Sequence, residues 1–144
     1  MVLIDTNVIS ELWRASPEPS VLAWVDEQAI ETLYLSTVTV AELRFGLAAM
    51  PESRRRQIYQ QRLETEVLPA FGGRVLAFDL AASARYAELM ARAKSRGQAI
   101  SLADGMIAAT AAAHGLLVAT RDTSPFSAAE VVTVNPWPAS PESS

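Results

Sequence analysis

The sequence predicts an α/β domain in three layers, α/β/α, around a central and mainly parallel sheet. Short, continuously apolar runs such as Val2-Leu3-Ile4 and Leu116-Leu117-Val118-Ala119 lack the in–out alternation of a half-exposed sheet, so both faces must be covered. These runs alternate with longer stretches whose apolar residues recur at helical spacing, the pattern of crossover helices between parallel strands. The chain length of 144 residues suits one domain. A domain of that size buries roughly 68–70% of its unfolded surface and needs no staples.

Val2-Leu3-Ile4 reads as the first strand, ending at Asp5-Thr6-Asn7, residues that cap helices. Val8, Ile9 and Leu12 then follow helical spacing. Pro17 and Pro19 restart the chain, and Val21, Leu22, Trp24 and Val25 predict a second helix. Leu33-Tyr34-Leu35 is a second strand closed by Ser36-Thr37, and Val40, Leu43, Leu47 and Met50 form the stripe of a third helix. Pro51-Glu52-Ser53 opens a fourth helix, with Tyr59, Leu63 and Val67 on one face. Gly72-Gly73 breaks the chain before a strand over Val75-Leu76-Ala77-Phe78. A long helix with Tyr86, Leu89, Met90 and Ala93 on one side stops near Gly97. Ser101 starts an Ala-rich helix that ends at His114-Gly115, where glycine can close the last turn. The strands Leu116 to Ala119 and Val131 to Val134 complete the set. Residues 1–137 are expected to form the single domain, with Trp137 ordered and residues 138–144, rich in Pro and Ser, a loose tail.

Composition excludes several chemistries. There is no Cys, so disulfides, thiol catalysis and thiolate zinc sites are ruled out. The opening MVLIDTN has neither the basic nor the long apolar region of a signal peptide, and no apolar run reaches a membrane-spanning length. A cytoplasmic protein away from membranes is expected. The net charge of −4 argues weakly against a nucleic-acid partner, because eleven of the twelve Lys and Arg fall between Arg44 and Arg121 while the acids are spread along the chain.

His114 is the only histidine, so a metal-free ribonuclease with an acid–base histidine pair is excluded; its place at a helix end suits a structural role. No G-x-S-x-G elbow, P-loop or dinucleotide-binding glycine pattern occurs. Carboxylates remain. Asp5 follows the first strand and Asp122 the fourth, and ligands of open parallel sheets collect beyond the carboxyl ends of strands. Glu42 sits early in the helix after the second strand, and Asp104 in the first turn opened by Ser101. Four acids from distant segments can therefore meet at one sheet edge.

A plainer reading stands beside this one. Ser101-x-x-Asp104 and Thr39-x-x-Glu42 both have capping-box spacing, Asp5 can belong to a helix cap, and Asp122 can be a turn residue. Capping does not explain why all four should sit at the strand-exit edge of the sheet. Clustering has its own cost, since two carboxylates about 4 Å apart repel by ~4 kcal/mol at an effective dielectric of 20. Hard divalent cations such as Mg²⁺ or Mn²⁺ relieve that repulsion and can assist phosphodiester hydrolysis. The run Arg54-Arg55-Arg56 with Arg62 is read first as a solvated helix face, with phosphate or acidic-partner binding as the alternative. Trp13 and Trp24 are read as packing residues.

With these residues in place, the chain resembles a PIN domain of the VapC/FitB toxin type from Met1 to Trp137. MVLIDTNVISE, residues 1–11, resembles the family's first acidic motif, and TVTVAELRFG, residues 37–46, its second. ISLADGMIAA, residues 100–109, resembles the third, and LVATRD, residues 117–122, the fourth. The match departs from the family's pattern at Thr123-Ser124-Pro125-Phe126, where relatives often carry a further charged or polar residue.

The resemblance implies a PIN-like fold and a toxin of a type II toxin–antitoxin system. It implies cleavage of RNA with Mg²⁺ or Mn²⁺ held by Asp5, Glu42, Asp104 and Asp122, with Asn7 and Thr120 as polar supports. It further implies a VapB-like antitoxin and a homodimer, or a dimer of toxin–antitoxin pairs. The apolar residues Val21, Trp24, Leu47 and Tyr59 look like more than one small core can absorb, which also points to a homodimer. An RNA-processing PIN nuclease outside any toxin–antitoxin pair, or an inactive PIN binding module, are the alternatives.

Overall fold

The computed structural model describes residues 1–139. Strand β1 (Val2–Ile4) leads into α1 (Thr6–Leu12) and α2 (Pro19–Glu27); a 3-10 turn at Ile30–Thr32 precedes β2 (Leu33–Ser36). Helices α3 (Thr37–Ala48) and α4 (Arg54–Arg62) follow, then a π-helical turn at Leu63–Val67, α5 (Leu68–Phe71) and a 3-10 turn at Gly72–Arg74. The edge strand β3 (Val75–Leu76) gives way to α6 (Leu80–Ser95) and α7 (Leu102–His114). Strand β4 (Leu117–Ala119), α8 (Ser124–Ala128) and β5 (Thr133–Val134) complete the described chain.

The five strands pair in the order β3-β2-β1-β4-β5, and every pairing is parallel. The chain runs outward from β1 to one edge and later returns beside β1 to build the other edge. That reversal leaves a topological switch point between β1 and β4, the place where open parallel sheets bind ligands. Their register sets Ile4 opposite Ala119, so Asp5 and Thr120 leave the sheet side by side.

Successive strand residues face opposite layers, and two cores result. Val2 and Ile4 join Val8, Ile9, Val21, Leu35, Leu43, Leu47 and Leu63 on one face. Leu3 and Val118 join Leu89, Ile107, Ala108 and Phe126 on the other. The second layer depends on close packing of α6 against α7. A β-carbon added at Gly105 would lie 2.9 Å from Met90 Sδ and 3.1 Å from Tyr86 Cε2.

Several expectations change in the structure. The third and fifth strands are shorter than expected, because Asp79 already caps α6 through the Ala82 N–H and Glu130, at φ 61°, turns the chain ahead of β5. The expected fourth helix is interrupted by the π turn just ahead of Pro69, whose ring offers no N–H to the Thr65 carbonyl. The departing segment Thr123-Ser124-Pro125-Phe126 opens α8 and buries Phe126 completely. Val21 and Leu47 are buried in the monomer, and Trp24 and Tyr59 pack partly buried against the same core. One chain does absorb them, so they give no argument for a dimer.

The exposed apolar side chains are instead Phe45, Leu80, Leu102 and Val132, among others. Trp137 is buried against the first core, and most of the expected tail lies outside the described residues. No helix among the described residues is long and apolar enough to cross a membrane.

Candidate active site

Asp5 is the anchor of the site. It caps α1, with Oδ1 accepting from the Thr6 N–H at 2.8 Å, while Oδ2 accepts from the Thr120 hydroxyl at 2.8 Å and Asn7 Nδ2 at 3.4 Å. Thr120 is fully buried at the end of β4, and Asn7 Nδ2 also reaches its hydroxyl at 3.2 Å. Asn7 and Thr120 therefore both donate to the Asp5 carboxylate. Glu42, exposed on α3, is steadied by the Thr6 hydroxyl at 2.7 Å.

Capping explains these acids only in part. Ser36, not Thr39, caps α3 by accepting from the Thr39 N–H at 3.0 Å, which puts Glu42 beyond the first turn. Ser101 does cap α7, accepting from the Asp104 N–H at 3.2 Å. Asp122 makes no helix cap; its N–H donates to Thr120 Oγ1 at 3.2 Å, and Thr123 stands at the start of α8.

Asp5, Glu42 and Asp104 line one open cleft of about 480 Å³, together with Asn7, Glu11, Arg14, Arg121 and Trp137. Asp122 is not brought into that cleft. It lines an adjoining hollow of about 390 Å³ that shares the Asp104 wall and includes Ser124 and Pro125. Asp5 is 5% exposed, and burial pushes its carboxyl up to about 6. Hydrogen bonds from Thr120 and Thr6 pull it down, and the nearby Asp104 and Glu42 charges push it further up.

Among the described residues no three acids are drawn close enough to cage a cation by themselves. The arrangement still fits Mg²⁺ or Mn²⁺. Mg²⁺ takes one or two carboxylates and keeps most of its water, and it completes its shell with substrate phosphate oxygens. A roomy cleft whose buried acid feels two neighbouring negative charges is suited to such a hydrated ion.

The PIN-domain family model matches residues 2–131, which include all four acids. The chain belongs to the PIN-domain family. This PIN domain is 68% identical to the VapC ribonuclease Y4jK of Sinorhizobium fredii, over 95% of this chain and 98% of the relative. It is 50% identical to the toxin FitB of Neisseria gonorrhoeae, over 95% and 99% of the two chains. The crystal structure of FitAcB from Neisseria gonorrhoeae superposes with a TM-score of 0.92 at 50% identity, covering 95% of this chain and 99% of that one. These likenesses make it a PIN domain of the VapC/FitB type.

Glu11 also belongs to the site, although helical spacing along α1 does not single it out. It is 4% exposed and touches the cleft. Burial pushes its carboxyl up, but donation from the Glu18 N–H, the Arg14 guanidinium and the Trp137 indole outweighs that and holds it below the usual range. The expected Arg run divides by residue. Arg55 lies over the Tyr59 ring, Arg56 bonds the Met50 carbonyl, and Arg62 pairs with Glu66. Trp13 stacks on Tyr59 with centroids 5.7 Å apart, as expected for packing.

Proposed function

We propose that this PIN domain is the toxin of a toxin–antitoxin pair, a divalent-metal-dependent endoribonuclease acting through Asp5, Glu42, Asp104 and Asp122. The observation that carries the reading is the buried Asp5 at the sheet's switch point, with Glu42 and Asp104 facing the same cleft. Asp5, Glu42 and Asp104 would hold a hydrated ion between them, in part through its waters, with Asp122 at the margin beside Asp104. Bound there, Mg²⁺ or Mn²⁺ would supply an activated water and charge stabilisation for phosphodiester hydrolysis.

The chain's own contribution is orientation. Thr120 and Asn7 fix one oxygen of Asp5, Thr6 fixes the other, and the Thr6 hydroxyl holds Glu42 toward the cleft. An antitoxin partner fits the groove that continues the cleft past Thr6, Ser10, Arg14 and Glu42. Trp13, Leu43, Leu47, Tyr59 and Arg55 also line it, a surface for an apolar segment with acidic flanks.

Asp104→Asn is the decisive variant, because Asn keeps the size but removes the negative charge a cation needs. Its N–H to Ser101 contact belongs to the backbone and survives the change. RNA cleavage should collapse in Mg²⁺ and in Mn²⁺ while circular dichroism and melting show an intact fold. Cleavage at the parent rate, on protein freed of antitoxin, would refute a catalytic role for Asp104.

A further inference from the structure

An acidic cleft that receives RNA needs a cation to offset its own field. Two arginines, Arg14 and Arg121, line it among the described residues. Arg14 is engaged, with Nη1 at 3.3 and 3.4 Å from the two oxygens of Glu11. Arg121 has no carboxylate within ion-pair distance among the described residues. Its guanidinium carbon lies 5.4 Å from the centroid of the Trp137 ring.

The backbone of this arginine is held on both sides. Its backbone N–H donates to Asn7 Oδ1 at 3.3 Å, and its backbone carbonyl accepts from Asn135 Nδ2 at 3.5 Å. Asn135 also accepts from the Trp137 N–H at 2.9 Å. The Trp137 indole Nε1–H donates to the buried Glu11 at 3.3 Å, and Glu11 accepts from the Glu18 N–H at 3.2 Å. A guanidinium over an aromatic face keeps its in-plane N–H donors available, and their fork matches phosphate oxygens.

We propose that Arg121 is a substrate-positioning residue that grips an RNA phosphate beside the scissile one, on a platform made by Trp137 and fixed by Glu11. The inference rests on the nuclease reading for its substrate, but not for its test. The buried Glu11 carboxylate then acts as a strut: it sets the indole, and the indole sets the height and angle of the guanidinium. Arg121 moves no proton and forms no bond to the reacting phosphorus.

The test compares the parent with Arg121→Ala, Arg121→Lys and Trp137→Phe, and uses Arg85→Ala on the outer surface of α6 as the control. Equilibrium binding of a fluorescent 2′-O-methyl RNA strand is measured across a salt series in Mg²⁺, alongside steady-state cleavage of unmodified RNA. Arg121→Ala should weaken binding and raise KM by about tenfold or more, the size of a lost charge-assisted hydrogen bond, with kcat little changed. The slope of log affinity against log salt should fall by about 0.7, one single-strand phosphate contact.

Arg121→Lys should restore the slope but only part of the affinity, because a point charge lacks the fork. Trp137→Phe keeps an aromatic face but frees Glu11, and should raise KM while retaining the slope. Arg85→Ala should match the parent. An unchanged salt slope and KM in a folded Arg121→Ala protein overturns the proposal. So does a fall in kcat alone, which would make Arg121 a support for Asn7, or a loss confined to antitoxin binding. A parent that cuts no RNA in either metal refutes the nuclease reading instead, and the binding slope still decides the role of Arg121.

Discussion

At the residue scale, Asp5 links acidity to metal binding. Its carboxyl, at about 6 in the folded protein against 3.8 ordinarily, keeps a proton that the unfolded chain gives up. In chelator, stability is therefore highest below pH 4 with respect to this group and falls as pH rises toward 6. The accumulated loss is about 3 kcal/mol once both states are ionised. Asp5→Asn should remove that slope, which paired urea unfolding curves between pH 4 and 8 would reveal. Parallel pH profiles for the parent and variant would contradict it. Binding of Mn²⁺ requires the ionised form, so affinity should drop below pH 6 by up to about tenfold per unit. Calorimetry in buffers of different ionisation enthalpy should detect the released proton.

Two helix glycines make separable predictions at the scale of elements. Gly105 follows Asp104 on α7, and a methyl group there meets Met90 and Tyr86 of α6. Gly105→Ala should cost about 1–3 kcal/mol by overpacking, toward the low end because Met90 is flexible. Cleavage should also fall, since any shift of α7 moves Asp104. Gly115 closes the same helix at φ 65° with open space around it. Gly115→Ala should cost about 1–2 kcal/mol through backbone strain alone and leave RNA cleavage unchanged. Chemical denaturation with parallel activity assays separates the two. Equal activity losses would mean that the packing of α6 on α7 does not position the acid.

For the whole molecule, an ion that binds only the folded protein must stabilise it. At about 100 times its dissociation constant, Mn²⁺ should add ~2.7 kcal/mol. For a domain of this size that raises Tm by roughly 2–4 °C per kcal/mol. A melting curve unmoved by Mn²⁺, with no binding heat, would remove the metal site. Assembly is a separate question. The family resemblance leads us to expect a homodimer burying at least about 1,000 Å². The apolar residues free for it include Phe45, Leu80 and Leu102, with Leu80 88% exposed. Sedimentation velocity on antitoxin-free protein should show the dimer, and a persistent monomer would exclude it.

Features that depend on neighbours along the chain were legible in the sequence. Apolar runs marked the strands, Ser101 and Gly115 bounded α7 by cap chemistry, and the acids at strand exits followed from the same local signals. The sequence could not separate capping from a functional role at Asp5, because the same carboxylate caps α1 and faces the charges of Asp104 and Glu42. The tertiary structure alone decided the strand order, and with it the switch point where residues 115 positions apart, Asp5 and Thr120, share a hydrogen bond. It also set Asp122 in the adjoining hollow and joined Glu11 to Trp137, 126 positions away. Strand pairing and buried hydrogen bonds are contacts between segments, and their energies arise only when folding brings those segments together.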